Sequence, residues 1–124
     1  MTTPAQVVAR IEEGLFAMWD ALPELFVMSD EEGKIVRISA ACRSLLDWER
    51  SDMEGHHWYL FAHPDDIAGA DAEYNSYRAG GAPLVGYPTR WRNKDGGYVC
   101  LYWYTPTTTM GIGRSYSVAT LQKP

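Results

Sequence analysis

Cysteine is nearly missing from this chain of 124 residues, with Cys42 and Cys100 as the only two. Two thiols cannot build a disulfide scaffold, and no Cys-x-x-Cys spacing offers a zinc or redox motif. A reduced, cytoplasmic setting is the expectation. No apolar run approaches the ~20 residues of a membrane span. Met1-Thr2-Thr3-Pro4 places no basic region ahead of an apolar one, so no secretory leader is expected. Acids are almost lacking late in the chain. Residues 78–124 hold 1 acid and 6 bases, whereas residues 1–77 hold 15 acids and 5 bases. The formal total of -5 argues against nucleic acid as a partner. The acidic first part reads as a solvated helical half. Repeats, low-complexity tracts and linkers are absent too. With 46% apolar residues the chain is long enough for one domain with a real core, and disorder is not expected.

What is present is organised around 85–106, a long β-hairpin. Val85 to Asn93 and Tyr98 to Pro106 favour strands and flank Asp95-Gly96, where positive φ angles make a tight turn. Period two puts Val85, Tyr87, Thr89 and Trp91 on one face, with Val99, Leu101, Trp103 and Thr105 on one face of the second strand. Such a platform needs a cover. Pro88 cannot donate to a ladder, so its strand belongs at a sheet edge.

Upstream, Thr3-Pro4-Ala5-Gln6 is a helix start with a capping box, and the helix is expected to reach about Leu22. Its stripe of Ile11, Leu15, Met18 and Leu22, widened by Val7, Val8 and Trp19, fits either packing on its own domain or a dimer seam. Leu25–Ser29 and Ile35–Ile38 read as strands around Asp30-Glu31-Glu32-Gly33. Ser39 reads as a helix cap for 40–46, and another short helix covers Ser51 to Glu54. Asp65 or Asp66 is expected to cap a longer helix that Gly80-Gly81 stops. That helix, with Ile67, Ala70, Tyr74 and Tyr77 near one face, is the candidate cover. Tyr116 and Val118 lie in a last strand. The order predicts an α+β domain with helices on one face of an antiparallel sheet.

The chain from about Leu22 to Thr120 resembles the PAS domain. The carrying residues are Asp30-x-x-Gly33-x-Ile35, Leu45-Leu46-Asp47-Trp48, Asp52-Met53-Glu54-Gly55, His63-Pro64-Asp65-Asp66, Arg90-Trp91-Arg92-Asn93-Lys94-Asp95-Gly96 and Trp103. The resemblance implies a five-stranded antiparallel sheet of order 2-1-5-4-3, with an N-terminal amphipathic helix over residues 1–22 and the domain proper over 23–124. Ser39 stands where the family usually has Asn, and Asp47 where it commonly has Gly. Thr120-Leu121-Gln122-Lys123 replaces the family's common Asp-Ile/Val-Thr ending.

The resemblance also implies a cytoplasmic sensory input domain of a signalling protein, such as a histidine kinase, diguanylate cyclase or transcription regulator, joined to an output domain or partner. Flavin and haem are not expected. Cys42 lies in the wrong helix for a photoactive flavin, the flavin-contacting Asn positions align with Trp91 and Leu101, and the haem His position aligns near Ala70. His56, His57 and His63 lack the convergent further ligands of a metal site. Asp65-Asp66 is explained by capping, and Ser115 and Ser117 have no local His or acid, so an enzyme is not expected. An aromatic-walled site for a small organic ligand is, with Phe61, Tyr74, Tyr77, Tyr87, Trp91, Leu101 and Trp103 as candidates. A homodimer through Ile11, Leu15, Met18 and Leu22 is expected. The alternatives are a ligand-free module for dimerisation or partner binding, and an enzyme on a cone-shaped isomerase-like fold.

Overall fold

The computed structural model describes residues 1–106 and 113–124. Helix α1 (Pro4–Asp20) precedes the hairpin of β1 (Leu25–Asp30) and β2 (Ile35–Ile38). Three helices follow, α2 (Ala41–Leu46), α3 (Arg50–Met53) and α4 (Pro64–Arg78), with a 3-10 turn at Trp58–Leu60 before α4. Strands β3 (Val85–Arg92), β4 (Tyr98–Tyr104) and β5 (Arg114–Thr120) complete the chain. The strands form one antiparallel sheet in the order β2-β1-β5-β4-β3, as expected.

The hairpin pairs as its alternation predicts. Tyr87 faces Trp103, Thr89 faces Leu101 and Trp91 faces Val99, and directly opposed residues share a face. Gly96 alone takes the positive φ, at 95°; Asp95 keeps a negative one. Val85 departs from the expected inner face. A bulge between Val85 and Tyr87, with Gly86 at φ 69°, turns Val85 out to 74% exposure.

The inner sheet face carries the core. Leu25, Val27, Ile35, Ile38, Trp91, Leu101, Trp103 and Ala119 pack with Ala41, Cys42, Leu46, Met53 and Phe61 from the helical side. Burying each large side chain contributes roughly 1.5–3 kcal/mol.

Both sheet edges are closed by the irregular segments between helices. At β2, Ile35 donates to the His56 carbonyl (2.9 Å) and accepts from Gly55 (2.7 Å). At β3, Arg92 donates to the Phe61 carbonyl (2.8 Å) and Arg90 accepts from His63 (2.7 Å). Pro88 lies two residues before Arg90, on the same side of the strand, so its missing donor costs no ladder bond. Covered edges resist pairing with other chains.

Two expected caps are corrected. Ser39 makes no cap for α2, which starts without a side-chain cap bond. Its hydroxyl instead accepts from Phe26 N–H (2.9 Å), clipping β1 to the end of β2. Asp65 and Asp66 do not cap α4. His63 does, its Nδ1 accepting from Asp65 N–H at 3.1 Å. At the α2 C-terminus Asp47 takes the left-handed conformation, φ 61°, which explains why glycine suits that place.

Helix α1 has the predicted capping box on Thr3 and Gln6, but ends at Asp20 rather than Leu22. It lies on the outer sheet face, opposite the other helices. Trp19 stacks on Phe26 (centroids 5.2 Å) and meets Phe16 and Tyr116. Asp20 pairs with Arg37 (3.1 Å) and accepts from Ala40 N–H (2.8 Å). Glu12 reaches Arg114. The helix thus packs on its own domain through Trp19 and Phe16, while Ile11, Met18 and Leu22 stay exposed and Leu15 is half-buried. Trp19→Ala should cost about 3 kcal/mol, the lower end for truncating a buried aromatic residue, in urea unfolding. Ile11→Ala should change monomer stability by less than about 0.5 kcal/mol.

Candidate functional site

Helix α4 crosses the inner face over β3, and three contacts hold it there. Asp66 accepts from the Arg90 backbone N–H (2.8 Å) and from both Nε (2.9 Å) and Nη2 (2.7 Å) of its guanidinium. Tyr74 Oη and Ser115 Oγ share a hydrogen bond that ties α4 to β5. Gly69 leaves space for Tyr87, since a Cβ there would lie 3.0 Å from the Tyr87 hydroxyl.

Between α4 and the sheet lies a cavity of about 70 Å³. Trp58, Trp91 and Trp103 form its aromatic walls, with Val27, Ala70 and Leu84 completing the apolar lining. Its polar groups come from Ser29, Tyr74, Tyr87, Thr89 and Ser117. Trp91 and Trp103 are neighbours across the β3–β4 seam, centroids 5.0 Å apart and planes at 44°. Strand alternation puts Val27 and Ser29 of β1, Ser117 of β5, Trp103 of β4 and Thr89 of β3 on this one face. One cavity therefore samples every strand except β2.

Of the residues proposed from sequence, Tyr74, Tyr87, Trp91 and Trp103 line the cavity. Phe61, Tyr77 and Leu101 do not. Phe61 is sealed in the core between Trp48 and Trp91. Leu101 is wholly buried and belongs to the same cluster. Tyr77 is buried further along α4, where burial raises its pKa. Trp58 was missed because it sits in a short 3-10 turn with no readable period. The small hydroxyls of Ser29, Thr89 and Ser117 were missed as site residues because they look like ordinary strand residues; alternation puts Thr89 on the Trp91 face, and register with Val27 and Ala119 marks Ser29 and Ser117 as inner.

Cys42, His57 and His63 have structural posts. Cys42 is buried and donates to the Trp48 carbonyl (3.3 Å). Burial first, then the charges of Glu54 and Glu49, push its thiol up to about 11, the opposite of a reactive thiolate. His57 and His63 accept from backbone N–H groups of Tyr59 and Asp65 at their own turns.

This order of strands, with α2 to α4 on one face and α1 on the other, defines an α+β domain whose inner face carries a small site. The family model described as the PAS fold matches residues 35–120, and the chain belongs to that family. A PAS domain from Colwellia psychrerythraea superposes with TM-score 0.76 at 15% identity, covering 91% of this chain and 98% of its own. A domain of a sensory box sensor histidine kinase/response regulator from Geobacter sulfurreducens gives 0.71 at 15% identity, with 90% and 95% covered. The E. coli DhaR(N)-DhaL complex gives 0.62 at 13% identity, over 90% of this chain and 36% of that one. None of the curated proteins matches the chain. Among the described residues no helix is long and apolar enough to cross a membrane.

The Asp66–Arg90 clamp has a pH signature. The guanidinium bond lowers the Asp66 carboxyl from 3.8 to about 2. A depressed folded pKa contributes stability above the unfolded value and loses it as pH falls through the folded one. Asp66→Asn should therefore be less stable than wild type at pH 7. The difference should shrink between about pH 4 and about pH 2, read from thermal melts across that range.

Proposed function

We propose that the chain is a ligand-responsive input module of a signalling protein, and that the cavity under α4 is its sensing site. The observation that carries this reading is the lining: tryptophan walls with uncharged hydroxyl groups, the composition of a small-molecule site. Membership of the PAS family supports a sensory role, and the likeness to a domain of a sensor histidine kinase is consistent with it. We assign no catalytic residues, no flavin, no haem and no metal.

The route outward follows from alternation. Val27 and Ser117 line the cavity, and their strand neighbours Phe26 and Tyr116 touch Trp19 of α1. A ligand that favours one packing of α4 on the sheet would bias α1 by its difference in affinity for the two packings. Leu121, where the family commonly has an anchoring Asp, makes α1 the preferred output element. A homodimer with Ile11, Met18 and Leu22 in its seam is part of this reading, since α1 leaves them exposed. That exposure equally supports the second reading, a PAS module that dimerises or binds a partner without a ligand.

Native mass spectrometry tests both readings together. The expected result is a dimer carrying a small adduct, and a preparation without flavin or Soret absorption. Ile11→Asp together with Met18→Asp should halve the subunit count. In a thermal-shift screen of metabolites, wild type should respond to a compound that Trp91→Ala binds differently. Without a ligand, Trp91→Ala would only lose packing, about 3–5 kcal/mol, and no compound would shift either protein.

A further inference from the structure

Resting on the reading of the cavity as a ligand site, we propose that its ligand is an uncharged, single-ring aromatic molecule carrying one hydroxyl or similar hydrogen-bonding group, and that the site excludes anions. No charged side chain lines the cavity. An ion placed there would lose its hydration without gaining a counter-charge. The polar side chains at its wall are the hydroxyls of Ser29, Tyr74, Tyr87, Thr89 and Ser117 and the indole N–H groups of Trp58, Trp91 and Trp103. A hydroxyl both donates and accepts, so these groups match a neutral OH or amide better than a carboxylate.

The nearby field points the same way. Asp66 and Glu73 contribute to raising the Tyr87 hydroxyl pKa, after burial itself, so negative charge already stands beside this wall. The indole faces of Trp91 and Trp103, tilted at 44°, offer one surface for an offset ring and another for an edge contact. Size sets the upper bound. At about 70 Å³ the cavity falls well below the ~300–1,000 Å³ of drug-sized ligand sites and below the ~150 Å³ that holds a benzene ring, so one ring enters only as α4 or the cavity wall gives way slightly, and larger ligands are disfavoured.

The test uses phenol, benzoate and cyclohexanol as probes at pH 7 on the full chain, read by thermal shift and tryptophan fluorescence. These separate ring, charge and hydroxyl. Phenol should raise the melting temperature and quench fluorescence, with benzoate and cyclohexanol at least about tenfold weaker, as expected when burying a charge or losing ring contacts costs a kcal/mol or more. Ala70→Leu, which fills the cavity, should abolish the phenol response. Thr89→Val, a near-isosteric change, should weaken phenol about three- to tenfold, the worth of one hydrogen bond. Benzoate or cyclohexanol binding as well as phenol would overturn the proposal, as would a phenol response that survives both substitutions. If a charged metabolite stabilises wild type but not Ala70→Leu while phenol does nothing, the ligand class is wrong and the sensing site stands. If no compound in the metabolite screen or among these probes shifts wild type, both fail.

Discussion

The packing of Trp91 against Trp103 across the β3–β4 seam is the contact on which the rest of the domain leans. Each indole is nearly buried, and each comes from a strand whose other face meets solvent. A one-residue slip in this pairing would move both rings to the wrong side. The turn at Asp95-Gly96 prevents that slip, because Asn93 both donates to the Gly97 carbonyl (2.8 Å) and accepts from Gly96 (3.1 Å). With register held, Phe61 can stack on Trp91, Trp48 can meet Phe61, and the Trp48 indole can donate to the Arg92 carbonyl (3.0 Å). The helical layer is thereby pinned at one end of the sheet, while α4 is pinned separately by Asp66 and Tyr74. The cavity is the space between these two anchors.

A sheet only one layer thick makes the two faces neighbours. On β1, Val27 looks into the cavity and Phe26 looks at Trp19; on β5, Ser117 and Tyr116 divide in the same way. Displacing α4 by a fraction of a side chain must be absorbed by packing already near close-packed density. Such packing shifts between discrete arrangements more readily than it deforms smoothly. The outer helix is held mainly at its C-terminal end, by Trp19 and by the Asp20 contacts to Arg37 and Ala40. Its N-terminal half, with Val7, Val8 and Ile11 exposed, has far less holding it. That asymmetry lets the end next to the sheet act as a pivot.

Much of the sheet was legible because its evidence is local. Alternation in 85–105, the Asp-Gly turn, Pro88 and the box at Thr3 each state their role within a few residues. What was not legible depends on partners distant in sequence. Ser39 follows a strand and precedes a helix, as a cap would, but its hydroxyl is used by Phe26, 13 residues back. Asp66 looks like a helix-start carboxylate until Arg90, 24 residues on, claims both its oxygens. For α1 the 4-3-4 spacing selected Ile11, Leu15, Met18 and Leu22. The packed face is instead centred on Trp19 and Phe16, because Phe26 and Tyr116, which receive Trp19, and Arg37, which lies over Phe16, lie on the sheet face that hydropathy marks as outer. In the cavity, large aromatic residues were over-weighted. Phe61 and Tyr77 fill the core, whereas the small hydroxyl residues leave room.

That last point separates a site from a well-filled core. Were all inner positions large, the sheet and α4 would close on each other and dispersion contacts would be complete. Here Ser29, Ala70 and Ser117 interrupt the large rings at facing positions of β1, α4 and β5. The same three positions filled with leucine-sized groups would remove the space and add buried apolar area, each worth roughly 1.5–3 kcal/mol if accommodated without strain. The domain forgoes that packing at one place while filling the neighbouring Phe61–Leu101 layer completely. Interrupted packing beside a fully packed layer, with hydroxyl groups turned toward the gap, sets the region under α4 apart from the rest of the interior.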